Sequence, residues 1–366
     1  MKILVVQDHL RSGGTERQSV LLANAFAAAG HATTLLTFRP RGPLAPTVSA
    51  AVTLHTLQPF DTHLDWFAPG LMSSINRACP DVALCMGRMA NCYADTIQLT
   101  QAVTEPIPNL GVGPIRVVST MRTGKRLPWR YRRGMKFADH VVANSHEAAR
   151  HLTAAYAIPA DKITVIHNAL VFPPDSSVGG VPPPRDDSLR TQHAATPATT
   201  VLLCVAMFRP EKKQCELIEI AAGLPEQLDW QLWLAGDGPT RRTCEQLVAA
   251  KALAHRVKFL GFQRDPTPLY TAADLAVHAS SSEALSNFLI EAQSHGLPAV
   301  AYEAQGIAEC MIPGDTGWGI ARDDRTAFRA ALLRLMNEAP VDRHSRSTRA
   351  RNFARTAFAP WRTTEH

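Results

Sequence analysis

Short apolar runs alternate with amphipathic stretches along nearly the whole chain, and this rhythm restricts the fold more than any single residue. The runs KILVVQDH (2–9), HATTLLTF (31–38), VTLHTL (52–57), DVALCMG (81–87), IRVVSTM (115–121), HVVANS (140–145) and KITVIHN (162–168) read as strands. Helical patterns lie between most of them, beginning with ERQSVLLANAFAAAG (16–30). The plan repeats in TTVLLCVAM (199–207), WQLWLAG (230–236), VKFLG (257–261), LAVHAS (275–280) and PAVAY (298–302). Serial β–α units build parallel sheets with helices on both faces. The expected class is α/β, with two Rossmann-like, doubly wound parallel-sheet domains facing a cleft.

The halves meet at VFPPDSSVGGVPPPRDDSLRTQHAATPATT (171–200), whose Pro, Gly, Ser and Thr content cannot build a core. The expected division is a first domain over 1–170, a linker loop over 171–198 and a second domain over 199–342. An Arg-rich helix over 343–366 would follow, placed to cross back to the first domain. A length of 366 residues suits two domains, and 46% hydrophobic with 19% charged residues is globular composition. No run of 18 apolar residues occurs, and MKILVVQDH lacks the long apolar stretch of a secretion signal. Seven cysteines without a CxxC pair read as reduced core thiols, not metal ligands. Together these features predict a cytoplasmic protein.

In open parallel sheets, ligands bind beyond the carboxyl ends of the strands, so the loops there should carry the chemistry. HLRSGGTE follows the first strand, and Gly13-Gly14 opens a helix whose amides suit a phosphate. FRPEKK (208–213) places Arg209, Lys212 and Lys213 after the first strand of the second half, and GDGP (236–239) makes a turn. SSSEALSNFLIEAQSHGLP (280–298) reads as a helix opening near Ser-Ser-Glu, with Glu283 at its start and Glu291 two turns in. On one helix, carboxylates eight residues apart stand up to about 12 Å apart and point about 80° apart, so they cannot share one proton. They can grip two ends of a long ligand such as a nucleotide sugar. Its diphosphate would meet the amides of Ser286, Asn287 and Phe288 at the helix start, with Arg209 and Lys212 neutralising the rest. The plainer alternative is a Ser282 cap with an acid in the first turn and a surface Glu291.

The run YTAADLAVHASSSEALSNFLIEAQSHGLPAVAYEAQGIAECMIPGDTGWGI (270–320) resembles the donor-binding half of the family-4 retaining glycosyltransferases, which have the GT-B fold. The shared features are two glutamates separated by seven residues, a Gly-x-Pro strand start, and a Gly-x-x-Glu at Gly306 and Glu309. GGTERQSVLLANAFAAAGH, FADHVVANSHEA (137–148), VIHNA (165–169), PEKK and GDGP extend the resemblance over nearly the whole chain. It implies a cytoplasmic enzyme moving a hexose-type sugar, with retention, from a nucleotide diphosphate sugar (a UDP-sugar) to a cell-envelope glycan or lipid-linked acceptor. Glu283 would then contact the sugar, Glu291 the ribose, and Lys212 the diphosphate and departing nucleotide. Gly14 would let its loop approach the reaction centre, and GFQRD (261–265), Phe262 included, would lie near the base. No cofactor and no metal are implied. The pattern departs in two places. Ala206-Met207 stands where the family commonly has Gly-Arg before Pro-Glu-Lys, leaving Arg209 to substitute; and STMRTG offers Arg122 where a His is frequent.

Residues 116–136 carry eight Lys/Arg and no acid, and residues 343–362 carry six Arg and no acid, so the remainder is net acidic. The first stretch follows the fifth strand. Arg122 and Lys125 could receive an anionic acceptor there, while Arg126, Arg130, Arg132 and Arg133, interleaved with Leu127, Trp129 and Tyr131, suit the headgroup layer of an anionic membrane. A solvated charged face is the plainer reading. Two rival functions are an epimerase of the same fold and a nucleic-acid-binding protein using 116–136. No recognisable nucleic-acid module accompanies that stretch, and no sequence-specific nucleic acid is expected.

Overall fold

The computed structural model describes residues 1–11, 13–40, 42–103, 114–170, 172 and 187–359. They divide into two compact units, Met1–Ala169 and Leu170–Ala359. In the first unit the order is β1 (Lys2–Gln7), α1 (Gly14–Ala28), β2 (Ala32–Thr37), β3 (Thr53–Thr56), α2 (Leu71–Ala78), β4 (Val82–Cys85), α3 (Arg88–Cys92) and α4 (Ala94–Val103). β5 (Arg116–Met121), α5 (Trp129–Phe137), β6 (His140–Ala143), α6 (His146–Tyr156) and β7 (Ile163–Val165) complete it. The strands form one sheet in the order β3-β2-β1-β4-β5-β6-β7, every pair parallel. Neighbouring strands on either side of β1 run off in opposite directions along the sheet, so the order reverses between β1 and β4.

The second unit starts with α7 (Asp187–Gln192), β8 (Thr200–Val205), α8 (Gln214–Ala222), β9 (Trp230–Ala235), α9 (Arg241–Ala250), β10 (Val257–Gly261) and α10 (Thr267–Ala272). It continues with β11 (Leu275–His278), α11 (Asn287–Ser294), β12 (Ala299–Tyr302), β13 (Gly317–Ile320), α12 (Arg325–Met336) and α13 (Pro340–Ala357). Its parallel sheet runs β10-β9-β8-β11-β12-β13, reversing between β8 and β11. Every residue of β9, β11 and β12 is buried, as expected of central strands covered on both faces. The edge strand β13, GWGI, carries no sequence signal: its two glycines lower strand propensity, and it forms by pairing with β12.

Two stretches differ from the sequence expectation. The end of the predicted linker folds as α7, because Arg190 is buried and donates to Ala272 O and Thr196 O, each at 2.8 Å, and pairs with Asp274 at 3.1 Å. Those bonds fasten it to the second unit, whereas most of the predicted linker lies outside the described residues. The Arg-rich helix α13 also belongs to the second unit, packed on α11. Arg351 Nη1 and Arg355 Nε each donate to Ser294 O at 3.2 Å, placing cations at the C-terminus of α11 where the helix dipole favours them. Residues 360–366, where a return to the first unit would be made, lie outside the described residues.

Candidate functional site

The loops that follow β8 and β11 leave adjacent strands at the reversal point of the second sheet, the position where open parallel sheets bind ligands. After β8, Phe208 is buried as an anchor and Pro210–Lys212 makes a short 3₁₀ turn. Lys213 then adopts left-handed backbone (φ 48°), and Gln214 Nε2 donates back to Met207 O at 2.9 Å. After β11, Ser281 N donates to Glu211 O at 2.8 Å, and Ser280 Oγ to the same carbonyl at 3.1 Å. Those bonds hold the loops together and bring Lys212 onto Glu283: Lys212 Nζ donates to Glu283 Oε1.

A third group joins them. His278, fully buried at the end of β11, places Nε2 2.8 Å from the same Oε1. A carboxylate only accepts, so Nε2 carries the proton. Nδ1 of His278 is buried without a hydrogen-bond partner among the described residues. Burial pushes the Glu283 carboxyl up, but the Lys212 charge and the His278 hydrogen bond outweigh it and hold the group at about 2. In the sequence His278 stands only as one residue of the apolar run LAVHAS. The available signal was its place five residues before Glu283, at the strand's carboxyl end.

Glu283 does not lie on the helix. α11 begins at Asn287, capped by Ser286, whose Oγ accepts from Leu289 N at 3.4 Å. The segment expected to be its first turn is instead tied to the loop after β8, and the spacing estimate for one continuous helix does not apply. Glu291 therefore sits one turn into α11, accepting from Tyr270 OH at 2.6 Å. Asn287 is the first helical residue, and the Phe288 ring is buried between Tyr270 and His278 at centroid distances of 6.3 and 5.7 Å. Phe288 thus offers α11 its backbone amide, while its ring serves the core. Gly306 explains the Gly-x-x-Glu spacing physically. Its φ is +73°, and a Cβ there would stand 2.0 Å from Ala284 O, so only glycine lets this segment pack on the loop carrying Glu283.

The other candidates of this unit differ in their surroundings. Arg209 is exposed; its backbone N donates to Met207 O at 2.9 Å, and its guanidinium has no hydrogen bond or ion pair among the described residues. Lys213 is turned away from Glu283 and pairs with Asp323 at 2.8 Å. Phe262 stands 59% exposed in the loop after β10, an apolar ring facing solvent. Gly236 and Gly238 of the GDGP turn are backbone spacers: a Cβ would meet Ala206 O at 2.0 Å or Phe208 O at 2.4 Å.

In the first unit, Gly13 caps α1 and Gly14 begins it, but the chain supplies its own anion there. The Glu16 carboxylate folds back so that a Cβ on Gly13 would be 2.3 Å from it, and His9 Nδ1 lies 3.1 Å from Glu16 Oε1. Arg122 is half-buried, its Nη1 donating to Asn168 Oδ1, and burial pulls its pKa down to about 10. Leu127 and Tyr131 are core residues, Tyr131 OH donating to Thr120 O at 2.6 Å, so neither faces a headgroup layer. Tyr131 lies on the inward face of α5, Leu127 is buried just before the helix, and Trp129 and Phe137 turn outward. Trp129 is 59% and Phe137 44% exposed, with Arg130 over the Trp129 ring at 5.4 Å. Lys125 and Arg126 are exposed, whereas Arg132 lies over Tyr156 at 5.7 Å and Arg133 pairs with Asp95 at 2.7 Å. Among the described residues no helix is long and apolar enough to cross a membrane.

Comparison with known proteins places both units. Residues 12–170 match the model of the glycosyltransferase family 4, and residues 199–338 that of the glycosyl transferases group 1. The N-acetyl-alpha-D-glucosaminyl L-malate synthase of Bacillus anthracis is 28% identical over 156 residues, 43% of this chain and 41% of that protein. The lipopolysaccharide core biosynthesis glycosyltransferase LpsE of Rhizobium meliloti is 32% identical over 142 residues, 38% of this chain and 41% of that protein. The chain thus spans about two fifths of the length of these relatives. Anabaena HepE, solved with UDP, superposes with a TM-score of 0.77 at 20% identity, covering 100% of this chain and 98% of that one. A glycosyltransferase of Rickettsia africae superposes with a TM-score of 0.78 at 18% identity, covering 99% and 95%. At those identities the likeness establishes the GT-B fold.

Proposed function

We propose, from the premise that the chain belongs to the family-4 glycosyltransferases with a GT-B fold, that it transfers a hexose-type sugar from a UDP-sugar with retention. The acceptor in this reading is a cell-envelope glycan or its lipid-linked precursor. The observation that carries the proposal is the Lys212–Glu283–His278 cluster at the reversal point of the second sheet. Lys212 is a cation already held at the place where a diphosphate would lie, and its partner carboxylate is fully ionised at neutral pH. When the sugar–phosphate bond breaks, negative charge grows on the departing phosphate. A preorganised ammonium, helped by exposed Arg209 and the first-turn amides of α11, stabilises that charge without reorganising. Glu283, positioned by two donors on Oε1, keeps acceptor capacity for the hydroxyls of the transferred sugar. Glu291 takes the ribose end. LpsE carries lipopolysaccharide core biosynthesis in its name, and HepE holds UDP; both support this choice of donor and acceptor.

A thermal-shift screen against UDP, GDP, ADP, TDP and their sugars tests the donor site. A ligand at 100 times its dissociation constant adds about 2.7 kcal/mol of stability. A UDP compound should give the largest shift, and an unchanged melting point with all of them sinks the reading.

The outward face of α5 supports a peripheral contact with an anionic membrane. Trp129, Phe137 and Arg130 are exposed there, with Lys125 and Arg126 just before the helix. Each cation near an anionic surface contributes ~1 kcal/mol. Salt-sensitive sedimentation with anionic vesicles, but not neutral ones, is expected. A protein that stays in the supernatant at low salt has no such contact.

A further inference from the structure

Two cysteines outside the candidate site lie in contact. Cys215 is the second residue of α8, half-buried, and Cys244 is a buried residue of α9; their sulfurs are 3.2 Å apart. Among the described residues no other two cysteine sulfurs touch: Cys85, Cys92, Cys204 and Cys310 are buried singly, and Cys79 donates to Asn76 O. The pair belongs to a packed apolar layer that includes Leu217, Leu247 and Val248. The loops leading into the two helices are already bonded backbone to backbone, Phe208 N donating to Asp237 O at 2.9 Å and Thr240 N to Phe208 O at 3.2 Å. The sulfurs are therefore held together by structure on both sides.

We infer that Cys215 and Cys244 are a reversible redox modification site, closing to an intrachain disulfide between α8 and α9 in exchange with a low-molecular-weight disulfide. A disulfide bond is about 2.05 Å long, so the sulfurs need approach by only about 1 Å. Burial and the contact with Cys215 raise the Cys244 thiol well above its ordinary pKa, and Cys215 is the member that a reagent reaches. The Cys215 thiolate attacks one sulfur of the small disulfide, whose S–S bond breaks and whose other half leaves as a thiolate, taking a proton from solvent. Cys244 then gives up its proton and attacks the Cys215 sulfur, releasing the second half as a thiol. In sum, the protein loses two electrons and two protons, and the small disulfide is reduced to two thiols. The new bond ties together helices that directly follow the loops holding Lys212 and the GDGP turn. Cross-linking also restricts the unfolded chain, so the oxidised form should melt higher.

The test does not depend on any sugar-transfer activity. The folded chain is incubated with oxidised glutathione, alkylated without reduction, and measured by intact mass, peptide mapping and melting temperature. The expected product carries two alkyl groups fewer than the reduced protein alkylated in the same way under denaturing conditions, holds no glutathione, and joins tryptic peptides 214–241 and 243–251. It should melt several degrees higher, and dithiothreitol should reverse the shift. Neither Cys215→Ser nor Cys244→Ser should give that product. The inference is overturned if the wild type stops at a glutathione adduct or does not react. It is equally overturned if another pair is linked, or if the product melts no higher than the reduced protein.

Discussion

Each sheet has one point where its strand order reverses, and in each a buried carboxylate bridges the two strands there, yet the two are held in opposite ways. In the first sheet Asp8, directly after β1, accepts from Met89 N at 3.0 Å and Ala90 N at 2.8 Å at the start of α3, which follows β4. Burial is the largest influence and raises its carboxyl to about 6, against the lowering effect of the two amides. Gly87 completes this latch, since a Cβ there would lie 2.1 Å from Asp8 Oδ1. In the second sheet, Glu283 is largely buried, its side chain 10% exposed, but faces an ammonium and an imidazole, and sits at about 2. Topology thus decides where a charge lands, and the partners decide its protonation. Neutral amides do not offset burial; a cation in contact does. The first reversal point is closed by the protein's own backbone, whereas the second holds a side-chain cation against its carboxylate.

The largest expected effect breaks the second bridge. In Lys212→Ala, sugar transfer should fall by roughly two orders of magnitude or more, as for loss of one preorganised charge-stabilising group. Transfer by the wild type should survive EDTA, and an absolute need for Mn²⁺ or Mg²⁺ would show that the leaving charge is handled otherwise. Lys213→Ala, which removes a half-buried partner of exposed Asp323, should stay close to the wild type, with Arg209→Ala between them.

Acid titration separates the two carboxylates. Glu283, depressed from 4.5 to about 2, contributes stability present above pH 4.5 and lost as the pH falls towards 2. Asp8, raised from 3.8 to about 6, contributes stability present below pH 3.8 and lost as the pH rises through 6. Each contribution is on the order of 3 kcal/mol. Denaturant melts of Asp8→Asn should therefore lose the fall in stability between pH 4 and 6, and those of Glu283→Gln the rise between pH 2 and 4.5. If Asp8→Asn leaves the pH dependence unchanged, the latch titrates in the ordinary range and the contrast fails.

A smaller effect separates the two ends of the ligand. Glu291→Ala should weaken binding of the bare nucleotide diphosphate by about 1.5–3 kcal/mol, the worth of a hydrogen bond to a charged group. Glu283→Ala should change that binding little while weakening the intact donor. Calorimetry that finds equal losses on bare nucleotide contradicts the assignment of two ends.

The smallest change concerns His278. In His278→Ala, Glu283 keeps Lys212 but loses one hydrogen bond, so the acid limb of the stability profile should shift upward by less than in any Lys212 variant. A profile identical to the wild type would make His278 a packing residue only.

The sequence alone determined the β–α alternation, the two sheets, the second-half loops that carry Lys212 and Glu283, the helix that carries Glu291, and the Gly306 spacing. These are local: strand and helix periodicity, turn residues and chain order specify them before any packing occurs. Tertiary structure decided the rest. Whether α11 begins at Ser281 or Asn287 depended on the bonds from Ser280 and Ser281 to Glu211, which lies some seventy residues earlier in the chain. Tyr131 has the residue type of a binding surface, but its bond to Thr120 fixes it in the core, and Arg122 beside it is half-buried on Asn168. His278 looks like any buried strand residue until the strand end sets it beside Glu283. A side chain's partner comes from wherever the folded chain brings a matching group, and one-dimensional spacing carries no record of that distance.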